Sequence, residues 1–436
     1  MAEIRPFRAL RYNPSHISDM LQVVTPPYDV IDEALQDKLY ARHPKNFVRL
    51  DLTRVDADAD PQSKYTLAAE TLAAWRKEGV MVRDEEPALY VYHQTFEEDG
   101  QKILRKGFIT TVRVHDYADK VVLPHERTLR GPKIDRLELM KATNAQMSQI
   151  FLLYNDPELR VDAALDAQCT NAPDVDIVTD DGIHHQLWKV TDPDTLAFVQ
   201  EALKGDQLLI ADGHHRYETA VAFRDLDGTS DTPRPRDYAM AYLANGSDPG
   251  LLVWPTHRAL HSVEGFNFTG WISKLESYFD VKKLSDTATA SALETLGQHK
   301  DKNAFVALAN LPGKGRVAYL LTLRTEDAQA DLDKLDVVDA ARNLDVTVLH
   351  DFVLAQLTGV SLEAQAQKTN LHYPRFENEV DAELEDPTTN VVFLMNATPI
   401  DDIRKVCTTG GFMPQKSTYF YPKVLSGLVV NDLSEF

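Results

Sequence analysis

The stretch Leu208–Ala220, LLIADGHHRYETA, constrains this chain more than any other. Leu208, Leu209 and Ile210 form a short apolar run of the kind found in a buried strand, and Ala211-Asp212-Gly213 breaks it. From Tyr217 the apolar spacing becomes helical. A strand that turns through glycine into a helix leaves backbone N–H groups at the helix start, which suits an anion. Five consecutive residues fill that turn: a carboxylate, a glycine, two imidazoles and a guanidinium.

Each of the five has a definite chemical use. Gly213 permits positive φ or close approach of a ligand to the backbone. Arg216 falls in the first helical turn, where a cation opposes the helix dipole unless an anion lies beside it, and its planar fork suits phosphate. His214 and His215 can donate hydrogen bonds or move protons. Asp212 can orient a histidine or hold a magnesium ion that bridges phosphates. The bland alternative is a capping Asp212 and an Arg216 paired with Glu138 or another acid. For five such residues in one corner, the functional reading is preferred.

A second loaded stretch runs from Leu123 to Asn155. His125, Arg127, Arg130, Lys133, Arg136 and Lys141 concentrate positive charge, with Glu126 and Thr128 among them, on a chain whose formal net charge is −21. That local reversal of sign points to a pocket for an anion, against a basic face that merely balances nearby acids. Near the end, Gly410-Gly411 precedes Lys416-Ser417-Thr418. One reading makes this a mobile loop that brings a lysine and two hydroxyls onto a phosphate; the other makes it an aromatic-rich terminal strand. The spacing is not that of GxxxxGK[ST].

The rest of the 436 residues supplies the frame. Phe47–Leu52 alternates like a strand. Ser63–Glu78 reads as a helix with Tyr65, Ala68, Leu72 and Trp75 on one face, stopped by Gly79. Ala88–Phe96 and Ile103–Val114 read as a hairpin about Asp99-Gly100. The fold class expected is α+β or mixed α/β, with residues 1–262 as the core, 263–369 as a second α/β domain and 370–436 as a segment that returns toward the core. Two distant cysteines without a CxxC partner exclude a zinc-thiolate site and, with an N-terminus unlike a signal or presequence, make the cytoplasm the expected location. Strong acidity disfavours nucleic acid and anionic membranes as partners, yet allows a small anion in a locally basic cleft.

Taken together, FRAL…PPYDV, LPHERT…PKIDR…AT, LLIADGHHRYETA, PTHRAL and KSTYFYPKVLSGLVV resemble a widespread prokaryotic family catalogued as domain of unknown function 1015. The DGHHR corner is also distantly similar to the ParB/sulfiredoxin-like superfamily, where such a turn cradles nucleotide phosphates. That superfamily spans DNA-bound CTP hydrolases, sulfiredoxins and kinases of free serine. The resemblance implies a ParB/sulfiredoxin-like core with Gly213, His214, His215 and Arg216 as phosphate contacts and ATP or ADP as nucleotide. Sulfiredoxin's reactive cysteine has no counterpart in this corner.

The leading expectation is therefore a nucleotide-dependent phosphotransferase on a small hydroxyl metabolite, best guess free L-serine going to O-phosphoserine. Glu126 would accept the hydroxyl proton, with Asp212, His214 and His215 also catalytic and Mg²⁺ on Asp212. Arg127, Thr128, Lys133, Arg136, Lys416, Ser417 and Thr418 would contact phosphate or nucleotide. Phosphoserine or nucleotide hydrolysis uses the same groups. The same residues are also compatible with a non-enzymatic sensor of a phosphometabolite, with a ParB-type CTPase, which the charge disfavours, and with a metallohydrolase built on His214 and Glu218. No role is assigned to residues 264–360.

Overall fold

In the computed structural model of the chain, residues 1–436 are described except Ala57, Leu129 and Thr229, and of Arg130 and Pro132 only the backbone. Within the polar stretches 54–62 and 226–236, Ala57 and Thr229 thus lie outside the described residues, as does the side chain of Arg130. The chain divides into two compact units: residues 1–124, 128–252 and 420–436 make unit 1, and residues 125–127 with 253–419 make unit 2. The sequence placed a boundary near 262; the chain passes between units at Leu252/Val253 and again at Tyr419/Phe420.

Unit 1 is built from helices α1 (Val48–Asp51), α2 (Ser63–Lys77), α3 (Arg130–Thr143), α4 (Pro193–Leu203) and α5 (His214–Asp225) on a ten-stranded sheet. Its main strands are β1 (Leu89–Glu98), β2 (Gln101–Arg105), β3 (Phe108–Arg113), β4 (Val122–Leu123), β5 (Ile150–Tyr154), β6 (Val175–Val178), β7 (His184–Val190), β8 (Leu208–Asp212) and β9 (Tyr238–Asn245). They lie in the order β6-β7-β1-β3-β9-β5-β8-β4, with β2 paired to β1 and Ile4–Arg5 to β3. Only β9/β5 and β8/β4 are parallel among the main pairs, so the class is mixed α/β. Apolar runs mark the strands covered on both faces. In β5 all five residues are buried, and in β9 all eight.

Strand register sorts the two faces of this sheet. Leu152, Leu243, Ile210 and Leu208 belong to a core that also takes Val199 and Leu203 of α4 and Tyr217 and Ala220 of α5. The opposite row, Ile109–Tyr242–Phe151–Asp212, runs across four neighbouring strands. Asp212 thus ends its strand on the face away from the aliphatic core. A second core joins Tyr65, Ala68, Leu72 and Trp75, the four residues expected on one face of α2, to Leu10 and Val430. Val430 donates to the Leu10 carbonyl at 3.0 Å and accepts from the Leu10 N–H at 2.9 Å, fixing the C-terminal segment to unit 1.

Two local expectations are corrected. Phe47–Leu52 is not a strand: Val48–Asp51 is a helical turn, begun where the Asn46 side chain accepts the Val48 N–H at 3.0 Å. The alternation deceived because Phe47, Val48, Leu50 and Asp51 are all buried, a helical i, i+1, i+3, i+4 spacing. The hairpin strand expected over Ile103–Val114 breaks into β2 and β3 at Lys106-Gly107. Gly107 backs onto β9 so closely that a Cβ would lie 2.4 Å from Tyr242 Cζ and 2.5 Å from the Leu243 carbonyl oxygen.

Unit 2 carries a six-stranded sheet in which Ala304–Leu311 pairs with Gly315–Leu323 and with Thr389–Met395. Arg258–His261 joins on the far side of Thr389–Met395. Val348–Thr358 forms an 11-residue π-helix. The core of the unit gathers Val306, Leu308, Leu320, Val392 and Leu394. No helix among the described residues is long and apolar enough to cross a membrane.

Gly107 gives a direct test of the sheet packing. Its φ is not positive, so alanine there costs through crowding alone. Gly107→Ala is expected to lower unfolding stability by about 1–3 kcal/mol, read by urea denaturation; no change would mean β3 and β9 are not this close.

Candidate functional site

The DGHHR corner forms as the pattern demanded. β8 ends at Asp212, Gly213 takes φ 89° and ψ 31°, and α5 begins at His214. Only glycine enters that left-handed region without penalty. As the N-cap it also has no side chain with which to cap the first N–H groups of α5. A Cβ at Gly213 would lie 2.8 Å from Arg216 Nε and 2.9 Å from Arg216 Cζ, so the glycine leaves the space that the guanidinium fills.

Arg216 is 8 % exposed. Its Nη2 donates to Asp212 Oδ2 at 2.9 Å and its Nη1 donates to the Gln149 carbonyl. Lys423, from the C-terminal segment, brings its Nζ to 3.4 Å from Asp212 Oδ1. One carboxylate therefore faces two cations. Burial pulls against the charge on Arg216, but Asp212, Asp29, Tyr28 and Asp51 outweigh it and raise the pKa. Tyr217 N–H bonds to the Gly213 carbonyl at 2.9 Å, the first closed turn of α5.

Around this corner unit 1 gathers residues from four distant stretches. Arg136 of α3 donates through Nη1 to Asp51 Oδ1 at 2.7 Å, and through Nη2 and Nε to Asp135 Oδ2 at 2.6 and 2.9 Å. The Tyr28 ring lies 4.2 Å from the Arg136 guanidinium carbon. Lys133 Nζ and the Thr128 hydroxyl both donate to Glu218 Oε2, at 2.6 and 2.7 Å. Lys141 pairs with Glu138, which is therefore not the partner of Arg216. A small cavity of about 40 Å³, room for a few waters, has Arg216, Arg136 and Asp51 in its wall. Arg216 is thus both locked to an acid and turned to a cavity.

The remaining predicted residues belong to unit 2 and form a cluster of their own. His125 Nε2 shares a 2.9 Å hydrogen bond with the Thr418 hydroxyl, and the His125 carbonyl accepts from Met413 N–H at 2.7 Å. Glu126 Oε1 accepts the Ser417 N–H at 3.0 Å. The Arg127 guanidinium lies 5.3 Å from the centre of the Phe412 ring. The Ser417 hydroxyl donates to the Pro414 carbonyl. Lys416, exposed, takes φ 58°, and its carbonyl accepts from Arg258 Nη2 at 3.0 Å. Arg258 is fully buried and also donates from Nε to His350 Nε2 at 2.9 Å. Because arginine cannot accept, His350 is neutral and its Nδ1–H donates to Gln365 Oε1 at 2.6 Å. Burial and the Arg258 charge push the His350 pKa down to about 3.

The structure therefore sorts the predicted residues into two sets. Asp212, Gly213, His214, His215, Arg216, Thr128, Lys133 and Arg136 fall in unit 1, and Glu126, Arg127, Lys416, Ser417 and Thr418 in unit 2. Asp29, Asp51, Gln149 and Lys423, all in unit 1, bear on this corner without a role expected from the sequence, as does Tyr28. Pro26-Pro27 before Tyr28-Asp29 was the available signal for the first.

Asp212 is the residue from which a magnesium site was expected. Both carboxylate oxygens are engaged by cations, and no group of three or more His, Cys, Asp or Glu side chains among the described residues can hold a metal. His214 with Glu218 likewise gives no metal pair, since Glu218 is held by Lys133 and Thr128. The residues present do not fit a protein-built magnesium site.

The fold and site together define a mixed α/β protein with a carboxylate–arginine corner at a glycine-capped helix start. Residues 4–347 match the family model described as protein of unknown function (DUF1015), and the chain belongs to that family. No curated protein matches its sequence. Among solved structures, a conserved hypothetical protein from Pyrococcus furiosus is similar at TM-score 0.35 and 15% identity, covering 73% of this chain and 94% of that one. A free serine kinase variant in complex with ADP is similar at TM-score 0.34 and 10% identity, covering 69% and 84%. SbnI from Staphylococcus aureus, truncated at its C-terminus, gives 0.34 and 11%, covering 74% and 86%. None of these assigns a chemistry to this chain.

The acid network beside the corner gives a pH prediction. Burial would raise the Asp135 pKa, but the charge of Arg136 and hydrogen bonds from Lys64, Arg136 and Tyr65 hold it down at about 2, from an ordinary 3.8. A depressed carboxylate stabilises the fold fully above pH 3.8, and that stability is lost as pH falls through about 2. Asp135→Asn is expected to cost roughly 2 kcal/mol at pH 7 and to flatten the stability profile between pH 4 and 2. An unchanged profile in urea titrations would contradict the network.

Proposed function

We propose that this protein is a nucleotide-dependent phosphotransferase acting on a small hydroxyl metabolite, free L-serine being the leading acceptor. One observation carries the reading. A helix N-terminus capped by glycine, in a left-handed turn, stands beside a buried arginine and a lysine that share one carboxylate. Two cations meet one carboxylate at this helix start, on a chain of net charge −21, and an incoming phosphate would find donors there. Phosphoryl transfer asks a protein mainly for positioning and charge neutralisation, and Gly213, the first turn of α5 and Arg216 supply both.

In the reaction, the acceptor's hydroxyl oxygen bonds to the terminal phosphorus of ATP or ADP as the bond to the bridging oxygen breaks. The hydroxyl proton passes to a carboxylate. Glu126 is the carboxylate proposed from sequence. Its Oε1 accepts the Ser417 N–H, which would fix its orientation. Asp29 in unit 1 is a second candidate, because it is exposed and its charge reaches Arg216. Hydrolysis of phosphoserine or nucleotide would use the same corner with water in place of the acceptor.

The test is ³¹P NMR on protein mixed with Mg²⁺, free serine and either ATP or ADP. Phosphoserine is expected to accumulate with one nucleotide, and its absence from both mixtures and from the reverse reaction would reject the transferase reading. Arg216→Lys keeps the charge but loses the planar fork, and turnover is expected to fall at least 100-fold. Glu126→Gln is expected to abolish turnover while nucleotide affinity stays within a few-fold. If Asp29→Asn does so instead, the base is Asp29.

A further inference from the structure

In unit 2 the strand Arg258–His261 lies between Thr389–Met395 and the edge strand Leu371–His372. Two residues are few for a strand, so its pairing needs support from outside the ladder. The register sets Ala259 opposite His372 and Leu260 opposite Leu371. The His257 N–H donates to the Pro374 carbonyl at 2.8 Å, and the His261 N–H to the Asn370 carbonyl at 3.1 Å. His261, two residues on from Ala259, points to the same side of the sheet and is the diagonal neighbour of His372.

There the two imidazoles stack, their centres 4.0 Å apart and their planes 30° from parallel. Their other contacts differ. The exposed His372 brings Nδ1 to 3.0 and 3.2 Å from the two carboxylate oxygens of Glu383, on the helix Glu377–Glu385. His261 Nδ1 lies 3.3 Å from the Ser262 hydroxyl, whereas its Nε2 is buried with no hydrogen-bond partner among the described residues. Thr389, which faces His261 from the other neighbouring strand, is uncharged. The charges that reach His261 are those of His372, Glu383 and Asp386.

Such a stack accommodates one proton and resists a second. A proton on His372 is matched by Glu383. A further proton on His261 sets two imidazolium rings face to face. With Nδ1–H turned to Ser262, that proton also lands on Nε2, as a buried donor without an acceptor. Burial and the charge of His372 lower the His261 pKa from the ordinary 6.5, against Glu383 and Asp386, which raise it. The neutral ring therefore stabilises the fold fully above pH 6.5, and that contribution is lost as pH falls through the lowered value.

We propose that the His261–His372 stack is an acid-released latch: a second proton parts the rings and frees the edge strand Leu371–His372 from Arg258–His261. The strand so uncovered also carries Arg258, which holds the Lys416 carbonyl and His350 at its other end.

The test is hydrogen exchange on the whole chain, read by mass spectrometry at about pH 7.5 and about pH 5, with the intrinsic rates divided out. Peptides covering Arg258–His261 and Leu371–His372 are expected to lose at least about 10-fold in protection at the lower pH, while Ala304–Leu311 at the centre of the sheet keeps its own. His372→Phe leaves a ring against His261 but removes the second charge, and its edge is expected to stay protected at pH 5. Should that variant not fold, the wild-type comparison of edge with centre decides. Equal edge protection at both pH values, or a fall as large in His372→Phe, would overturn the latch. A fall that includes Ala304–Leu311 would overturn it as well, since the whole unit would then be opening.

Discussion

A buried guanidinium must be paired, and the pairing of Arg216 with Asp212 is the constraint on which this corner depends. The two residues sit four apart across a strand-to-helix turn, and only a residue without a Cβ lets them meet: at Gly213 an added Cβ would lie within 2.9 Å of the guanidinium carbon. Removing Asp212 would leave a buried guanidinium without its ion-pair partner, a loss of about 3–5 kcal/mol in comparable sites. The Gln149 carbonyl and Lys423 complete the arrangement from β5's leading edge and from the C-terminal segment. Residues more than two hundred apart in sequence are thereby committed to one turn.

Charge explains why such a corner stands out. On a chain of net charge −21, cations of this region are held by acids: Lys133 by Glu218, Lys141 by Glu138, Arg136 by Asp51 and Asp135. At the corner two cations, Arg216 and Lys423, meet on Asp212. The helix N-terminus adds partial positive charge at the same place. In the basic interval read from the sequence, Lys133, Arg136 and Lys141 are thus members of ion pairs.

How much of this was legible follows from the range of each interaction. The strand–glycine–helix corner was readable because its geometry is written in thirteen consecutive residues, and the buried face of α2 because 3.6-residue spacing is local. Asp51 was hidden because Phe-Val-Arg-Leu-Asp-Leu satisfies an alternating pattern as well as a helical one, and four residues cannot decide between them. Lys423 was hidden because its partner lies 211 positions away, beyond any periodicity. The segment around Glu126 shows a further limit. His125–Arg127 belong to unit 2 and Thr128 to unit 1, so neighbours in sequence serve different cores, and no local property marks that change.

The central claim is that Arg216, buried and already paired, still meets a phosphoryl group. Arginine-labelled protein allows the guanidinium ¹⁵N–¹H signals to be followed by NMR, with Arg216 assigned by its loss in Arg216→Lys. Titration with ADP is predicted to shift the Arg216 Nε–H resonance saturably, while that of the equally buried Arg258 in unit 2 stays in place. An Arg216 signal that does not move at ADP concentrations that saturate binding would contradict the account.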